Sequence, residues 1–269
     1  MAPRSPILNV MAAAALKAAK GLVRDFGEVE QLQVSLKGPA DFVSTADHAA
    51  ERILRRELER ARPGYGFLME ESAATVGDGR HRWIVDPLDG TLNFLHGIPH
   101  FAISIALERD GEIVAGLIYD PIRHETFAAE KGQAATLNDR RLRVSARSKL
   151  NEAVIATGIP FKAHADHPLY LRQMGAIMAE VAGVRRFGAA ALDLAWVAAG
   201  RFDGFWEIAL SPWDIAAGLL IVRESGGFVS EIGGGHRMME TGSMLAANAK
   251  LHMPLGALLR TAAVERPAA

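Results

Sequence analysis

WIVDPLDGTLNF, residues 83–94, is an apolar run carrying two aspartates three positions apart, Asp86 and Asp89, with Pro87 between them and Gly90 and Thr91 directly after. Trp83 to Val85 read as a buried strand. Carboxylates at the end of such a strand lose hydration and repel one another, and an unpaired buried carboxylate takes up a proton rather than stay charged. Pro87 fixes its own φ and removes a donor, so the spacing predicts that the chain leaves the strand here. Both carboxylates then converge on one point, with the Leu88 carbonyl facing it. Gly90 and Thr91 offer close backbone N–H groups at the start of a helix through TLNFLHG, a site for a phosphate oxygen, and Thr91 adds a hydroxyl.

Upstream, Leu8, Met11, Leu16 and Val23 recur at helical spacing, and Lys17 and Lys20 interrupt the apolar stretch, so the start reads as an amphipathic helix rather than a secretory signal. No window reaches the roughly 18 uncharged apolar residues of a membrane span. A short strand near LQVSLK and a polar turn at GPADFVSTAD precede a second helix, HAAERILRRELERA, with Ile53, Leu54 and Leu58 on one face. YGFLMEES and HRWIVDP read as strands ending in acids. From Phe101 to Val144 a meander follows, with hairpins at Asp110-Gly111 and Asn138-Asp139.

Downstream, strands and helices alternate: EAVIATGI, a helix from His167 to Ala182, VRRFG, the helix AAALDLAWVAAGR, FDGFWEIA, the helix SPWDIAAGLLIVRESGG, FVSEI, SMLAAN and a last helix from about Leu251. Residues 1–269 are thus expected to form a single unit. A helix pair with an antiparallel sheet occupies 1–150, and an alternating α/β layer occupies 151–269. Only the tail ERPAA is low in complexity.

The 269 residues are 49% hydrophobic, enough for a sizeable core. Thirty Lys and Arg against 31 Asp and Glu give a net charge of −1, so the overall field favours neither nucleic acid nor an anionic membrane. With no cysteine, thiolate zinc sites and cysteine nucleophiles are excluded, and a reducing cytoplasm is the natural setting. The histidines, His81, His96 and His100 among them, show no zinc spacing.

The acids that meet turns or helix starts are Asp47, Glu70, Glu71, Asp86, Asp89, Glu207 and Asp214. Magnesium prefers hard oxygen ligands and is commonly shared between carboxylates and a substrate phosphate. Two such ions roughly 4 Å apart can activate a water, clamp a phosphoryl group and stabilise the leaving alkoxide.

WIVDPLDGTLNFLHGIPHFAISIAL, FLMEES and SPWDIAAGLLIVRESGG, with DFVSTAD and GAAALDLAWVAAGRFDGFWE, resemble in order and spacing the motifs of the inositol monophosphatase family of magnesium-dependent, lithium-sensitive phosphatases, from about residue 5 to 260. The resemblance implies a layered αβαβα sandwich of the sugar phosphatase type, a homodimer, and hydrolysis of a phosphate monoester, myo-inositol monophosphate first. It implies that Glu70, Asp86 and the Leu88 carbonyl hold one Mg2+ and that Asp86, Asp89 and Asp214 hold a second. Asp47 with Thr91 would orient and deprotonate the attacking water, helped by Glu70, and Gly90 and Thr91 would meet the phosphate. Glu207 and the Gly188-Ala189-Ala190 backbone would meet the alcohol, with Asp89 and Asp214 also facing the substrate. Water would displace the ester in line without a covalent intermediate. The family usually has Ser or Thr at Ala189 and Thr at Leu92; losing a hydroxyl to the ring opens other sugar phosphates, histidinol phosphate or a nucleotide 3′-phosphate as substrates.

Duller readings stand beside these. Ser211-Pro-Trp-Asp214 has the form of a capping box, Asp47 and Thr91 that of helix-start residues, and Gly90 that of a turn. Glu71 reads as a residue behind the site, Asp193 as a satisfied helix residue, and Trp83, Trp196, Trp206 and Trp213 as core. The rival function is a regulatory role in a transcription complex, through Arg140, Arg141, Arg143, Arg147 and Lys149, or Arg185 and Arg186. A basic segment without interleaved aromatics reads as a solvated face, so nucleic acid and membrane are not expected partners.

Overall fold

The computed structural model describes residues 5–28, 34–38, 41–160 and 166–264, with backbone alone at 34–38 and 41–43. Helix α1 (Pro6–Phe26) starts at Ser5, whose hydroxyl accepts from the Leu8 amide, with Pro6 in the first turn. Its buried stripe is Leu8, Met11 and Leu22 with Ala12, Ala14, Ala15, Ala18 and Ala19; the expected Leu16 and Val23 face outward. Alanines allow close approach to α2 (Thr45–Ala61), and Lys17 reaches Glu57 at 2.7 Å. α1 is the one helix among the described residues long and apolar enough, by length and composition, to cross a membrane. The stretch read as a polar turn contains strand β2 (Asp41–Ser44), paired antiparallel with β1 (Val34–Gly38). The rest of the strand expected near LQVSLK, and the ERPAA tail, lie outside the described residues.

Seven strands form the first large sheet, in chain order: β3 (Gly66–Met69), β4 (His81–Asp89), β5 (Ala102–Arg109), β6 (Glu112–Asp120), β7 (Glu125–Glu130), β8 (Thr136–Leu137) and β9 (Arg140–Arg141). The hairpins fall where expected: Asp110 and Gly111 both take positive φ, as do Asn138 and Asp139. One pair departs from the antiparallel expectation. β3 and β4 run parallel, because the connection between them returns the chain to the same end of the sheet.

Strand alternation splits this sheet's residues between two faces. Val85, Ile105, Leu117 and Ala128 lie in register and pack under α1 and α2. The neighbouring row, Ile84, Ala106, Gly116 and Ala129, faces the opposite way, toward α5 (Ala190–Ala198) and α6 (Pro212–Glu224). Small residues in that row leave a shallow trough in which α6 lies.

The second sheet has the order β11 (Gly183–Arg185), β10 (Val154–Thr157), β12 (Gly204–Glu207), β14 (Met244–Ala247), β13 (Phe228–Ser230), with β10 parallel to both neighbours and β14 antiparallel to both of its own. Ala156, Phe205 and Ala246 point to α5 and α6; Ile155, Trp206 and Leu245 point to α4 (His167–Met178) and α8 (His252–Val264). The layers are therefore helix pair, sheet, helix pair, sheet, helix pair, the αβαβα arrangement expected. Two short helices complete the fold, α3 (Thr91–Leu95) and the unforeseen α7 (Met238–Thr241), too short to show periodicity. α4 ends at Met178 and β11 at Arg185, both earlier than expected, leaving residues 186–189 as a loop.

A Cβ on Gly116 would stand 2.9 Å from the Ala217 carbonyl oxygen and 3.0 Å from its Cα, both α6 backbone. Gly116→Ala is expected to cost about 1–3 kcal/mol by overpacking, measured by urea denaturation; a loss under about 0.5 kcal/mol would show α6 free to lift from the sheet.

Candidate active site

Asp86 and Asp89 both sit in β4, which does not end at Pro87 as the spacing predicted. It continues to Asp89 through a bulge: Asp86 pairs with Ser104 and Asp89 with Ala102, so two residues of β4 oppose the single Ile103. In a regular strand, positions three apart point to opposite faces. The extra residue shifts that parity and turns both carboxylates into one cleft. Pro87 suits the bulge because no ladder donor is needed there. The Leu88 amide donates to Asp86 Oδ1 at 2.9 Å.

The cleft has a volume of about 250 Å³, and its lining includes Glu70, Asp86, Leu88, Asp89, Gly90, Thr91, Gly188, Ala189, Ala190, Glu207 and Asp214. Every expected site residue except Asp47 therefore lines it. Asp47 lies behind Thr91: its Oδ1 accepts from Thr91 Oγ1 at 3.0 Å, and Oδ2 accepts from the Ser44 amide at 2.9 Å and hydroxyl at 2.5 Å. Asp47 is thus both the capping-box acid of α2 and the partner of a cleft hydroxyl. Thr91 Oγ1 also lies 3.0 Å from the Leu88 carbonyl oxygen, so its one proton chooses between two acceptors.

Asp214 shows the same double duty. Its Oδ2 accepts from the Ser211 amide at 2.7 Å at the start of α6, with Pro212 in the first turn, so the capping reading holds and the carboxylate still lines the cleft. Asp89 Oδ2 accepts from the Ala191 amide at 2.8 Å, reaching from the first sheet to the start of α5. Gly90, at φ +91, packs where a Cβ would be 3.0 Å from the His100 carbonyl oxygen and 3.2 Å from Ala189 Cβ. Asn93 donates to the Phe187 carbonyl at 2.7 Å and the His100 carbonyl at 2.8 Å, tying the loop before α5 to α3.

The carboxylates strain against one another. Burial pushes Asp86 well above the ordinary aspartate value, with Glu70, Asp89 and Asp214 adding repulsion. Burial also raises Asp89, with Asp214, Glu207 and Glu70 repelling it and the Ala191 amide partly offsetting them. Among the described residues no group of three or more Asp, Glu or His side chains is gathered closely enough to enclose an ion as it stands.

Several contributors escaped the sequence reading. Glu51, buried one helical turn beyond Asp47, accepts from the Glu71 amide at 2.9 Å and fixes the loop that carries Glu70; an acid on the apolar face of α2 was the available signal. Trp213 packs against the core as expected and also lines the cleft, and Trp196, packed against the same core, is half-buried between the Arg123 and Arg201 guanidinium groups, each 5.2 Å from its ring. Trp83 and Trp206 are core as expected. Asp193 is not a satisfied helix residue: it is buried, neither oxygen has a hydrogen-bond partner in the structure, and burial, then Glu207 and Asp89, raise its carboxyl. A Cβ on Gly158 would collide with the Glu207 carboxylate, so the bare backbone there makes room for that acid. In the basic segment Arg147 pairs with Asp203 at 3.2 Å and Lys149 with Glu152 at 3.3 Å.

The sequence model of the inositol monophosphatase family matches residues 4–264. The inositol-1-monophosphatase of Mesorhizobium japonicum is 62% identical over 246 residues, 91% of this chain and 92% of that protein. The Nus factor SuhB of Escherichia coli is 44% identical over 247 residues, 91% of this chain and 92% of that protein. The crystal structure of extragenic suppressor protein suhB from Bartonella henselae matches with a TM-score of 0.93 at 58% identity, covering 95% of this chain and 99% of that one. With the motifs, the layered fold and the acidic cleft in agreement with these likenesses, the chain belongs to the inositol monophosphatase family.

Proposed function

We propose that the chain hydrolyses phosphate monoesters, myo-inositol monophosphate first among them, with magnesium held by Glu70, Asp86, Asp89, Asp214 and the Leu88 carbonyl. One observation carries the reading: two buried aspartates from a single bulged strand share a cleft with three further acids, Glu70, Glu207 and Asp214, that raise their proton affinity. The donors are all hard oxygens, which fits a divalent cation of this kind, and the family is generally metal-dependent. When bound, such ions neutralise the carboxylates, polarise a phosphoryl group and acidify a water.

The residues supply the rest. Asp47, with Oδ2 fixed by Ser44, keeps Oδ1 for Thr91, so a water bound to the threonine hydroxyl has a route for its proton. Glu70, on the loop held by Glu51, assists from the other side of the cleft. Gly90 and Thr91 present backbone N–H groups to the phosphate. Glu207 and the Gly188 to Ala190 backbone face the alcohol, and Ala189 has no hydroxyl to offer it. The reading carries with it a cytoplasmic homodimer, in keeping with a chain free of cysteine. The Nus factor name belongs to relatives at 44% identity, and no separate feature of the basic segment favours that role over catalysis here.

The pKa directions give a signed test. An aspartate raised on folding binds its proton more tightly folded than unfolded. Stability of the metal-free protein therefore falls as pH rises from about 3.9 through the raised folded value. Asp86→Asn and Asp89→Asn are each expected to raise the metal-free melting temperature at pH 7.5 by about 3 °C or more, converging on the parent near pH 4. Added magnesium should then stabilise the parent more than either variant; variants less stable than the metal-free parent at pH 7.5 would contradict the assigned directions.

Phosphate release from myo-inositol 1-phosphate should require magnesium and fall by about a hundredfold or more in Asp86→Asn and Glu70→Gln. Turnover within threefold of the parent in both would refute the assignment. Millimolar lithium, with magnesium limiting, is expected to inhibit; an unchanged rate would remove the lithium-sensitive metal position from the proposal.

A further inference from the structure

The segment between β12 and α6 joins two acids of the cleft, Glu207 at the end of the strand and Asp214 in the first turn of the helix. Glu207 pairs with Met244, the first residue of β14, whereas the Leu210 amide donates to the Gly242 carbonyl at 3.0 Å. Three steps along one segment thus oppose two along the other, so an extra residue is accommodated, as it is opposite Ile103 in β4. Ala209 takes it up. Its φ of +64 is a left-handed conformation that alanine adopts only against strain, and it lines the cleft.

Gly242 is the surface on which that turn is seated. It ends α7 at φ +64, its amide donating to the Met238 carbonyl at 2.9 Å. A Cβ there would collide with the Leu210 carbonyl oxygen and stand 2.7 Å from the Leu210 nitrogen, both backbone atoms that cannot rotate aside. From Leu210 the contacts run on without a gap. Ser211, the next residue, donates its amide to Asp214 Oδ2 at 2.7 Å, and its carbonyl accepts from the Asp214 amide at 3.2 Å. A shift of the Leu210 backbone therefore moves the group that anchors the Asp214 carboxylate.

We propose that Gly242 is a positioning residue for Asp214. Its bare Cα lets the left-handed turn at Ala209 seat against the end of α7. The seated turn fixes where α6 begins, and so how the Asp214 carboxylate faces the cleft it shares with Asp86 and Asp89. The inference rests on the hydrolytic reading above, in which Asp214 is a magnesium ligand. Residues that orient a metal ligand from behind govern metal affinity by about tenfold or more.

The test measures magnesium affinity by isothermal calorimetry on the full chain, with circular dichroism confirming that each variant is folded, and half-activating magnesium for phosphate release beside it. Gly242→Ala, and Ala209→Val, whose β-branched side chain disfavours a left-handed turn, are each expected to weaken magnesium binding about tenfold. Ala209→Gly keeps the turn and relieves its strain, so it should bind magnesium as the parent does and melt no lower. Leu259→Ala is the control, because Leu259 is buried in α8 and does not line the cleft; it should melt lower with magnesium affinity unchanged. If Gly242→Ala does not fold, Ala209→Val decides. Variants that melt lower yet bind magnesium as the parent does reduce the turn to a structural role and overturn the inference, as does an equal loss of affinity in Leu259→Ala. A parent that neither binds magnesium nor releases phosphate overturns the hydrolytic reading, and this inference with it.

Discussion

Like charges in a dry place are the constraint around which this molecule is arranged. Asp86 and Asp89 could have been kept apart by the ordinary alternation of a strand, which sends positions three apart to opposite faces. The bulge opposite Ile103 cancels that separation and forces the two carboxylates into one cleft with Glu70, Asp214 and Glu207. An arrangement that raises the proton affinity of its own members is unfavourable with all of them charged, and in the proposed function divalent cations would relieve it.

Backbone amides hold the repelling groups in place. Asp47 is anchored at the start of α2, Asp214 at the start of α6, and Asp89 on the Ala191 amide at the start of α5. Three helix N-termini thus each meet an acid of the site, and the positive ends of their dipoles oppose part of the accumulated charge. Each acid serves helix stability and the cleft with different oxygens or different faces of one carboxylate. Removing one would disturb both.

The wall that carries Glu207 follows another logic, one of room rather than charge balance. Gly158 yields space to Glu207, Gly188 to Arg186, and Gly90 packs directly against Ala189. Small residues here let charged groups lie flat on the wall, with bare backbone beneath them.

Much of this was readable from the chain by itself. The alternation of apolar residues set the strands and the order of the layers, Asp110-Gly111 and Asn138-Asp139 marked their hairpins, and the acids at strand ends and helix starts named the cleft, because these signals are local and periodic. What depended on tertiary structure was parity, direction and neighbourhood. Pro87 reads as a strand end, yet pairing with β5 carries the strand through it; β3 reads as one more antiparallel strand, yet runs parallel to β4. Leu16 and Val23 look like core, but α2 meets the alanine stripe instead. Glu51 and Gly158 acquire their roles only from groups 20 or more positions away, Glu71 for the first and Glu207 for the second. A side chain's type and period are written in its own segment, whereas what it faces is decided by which segments pack against it.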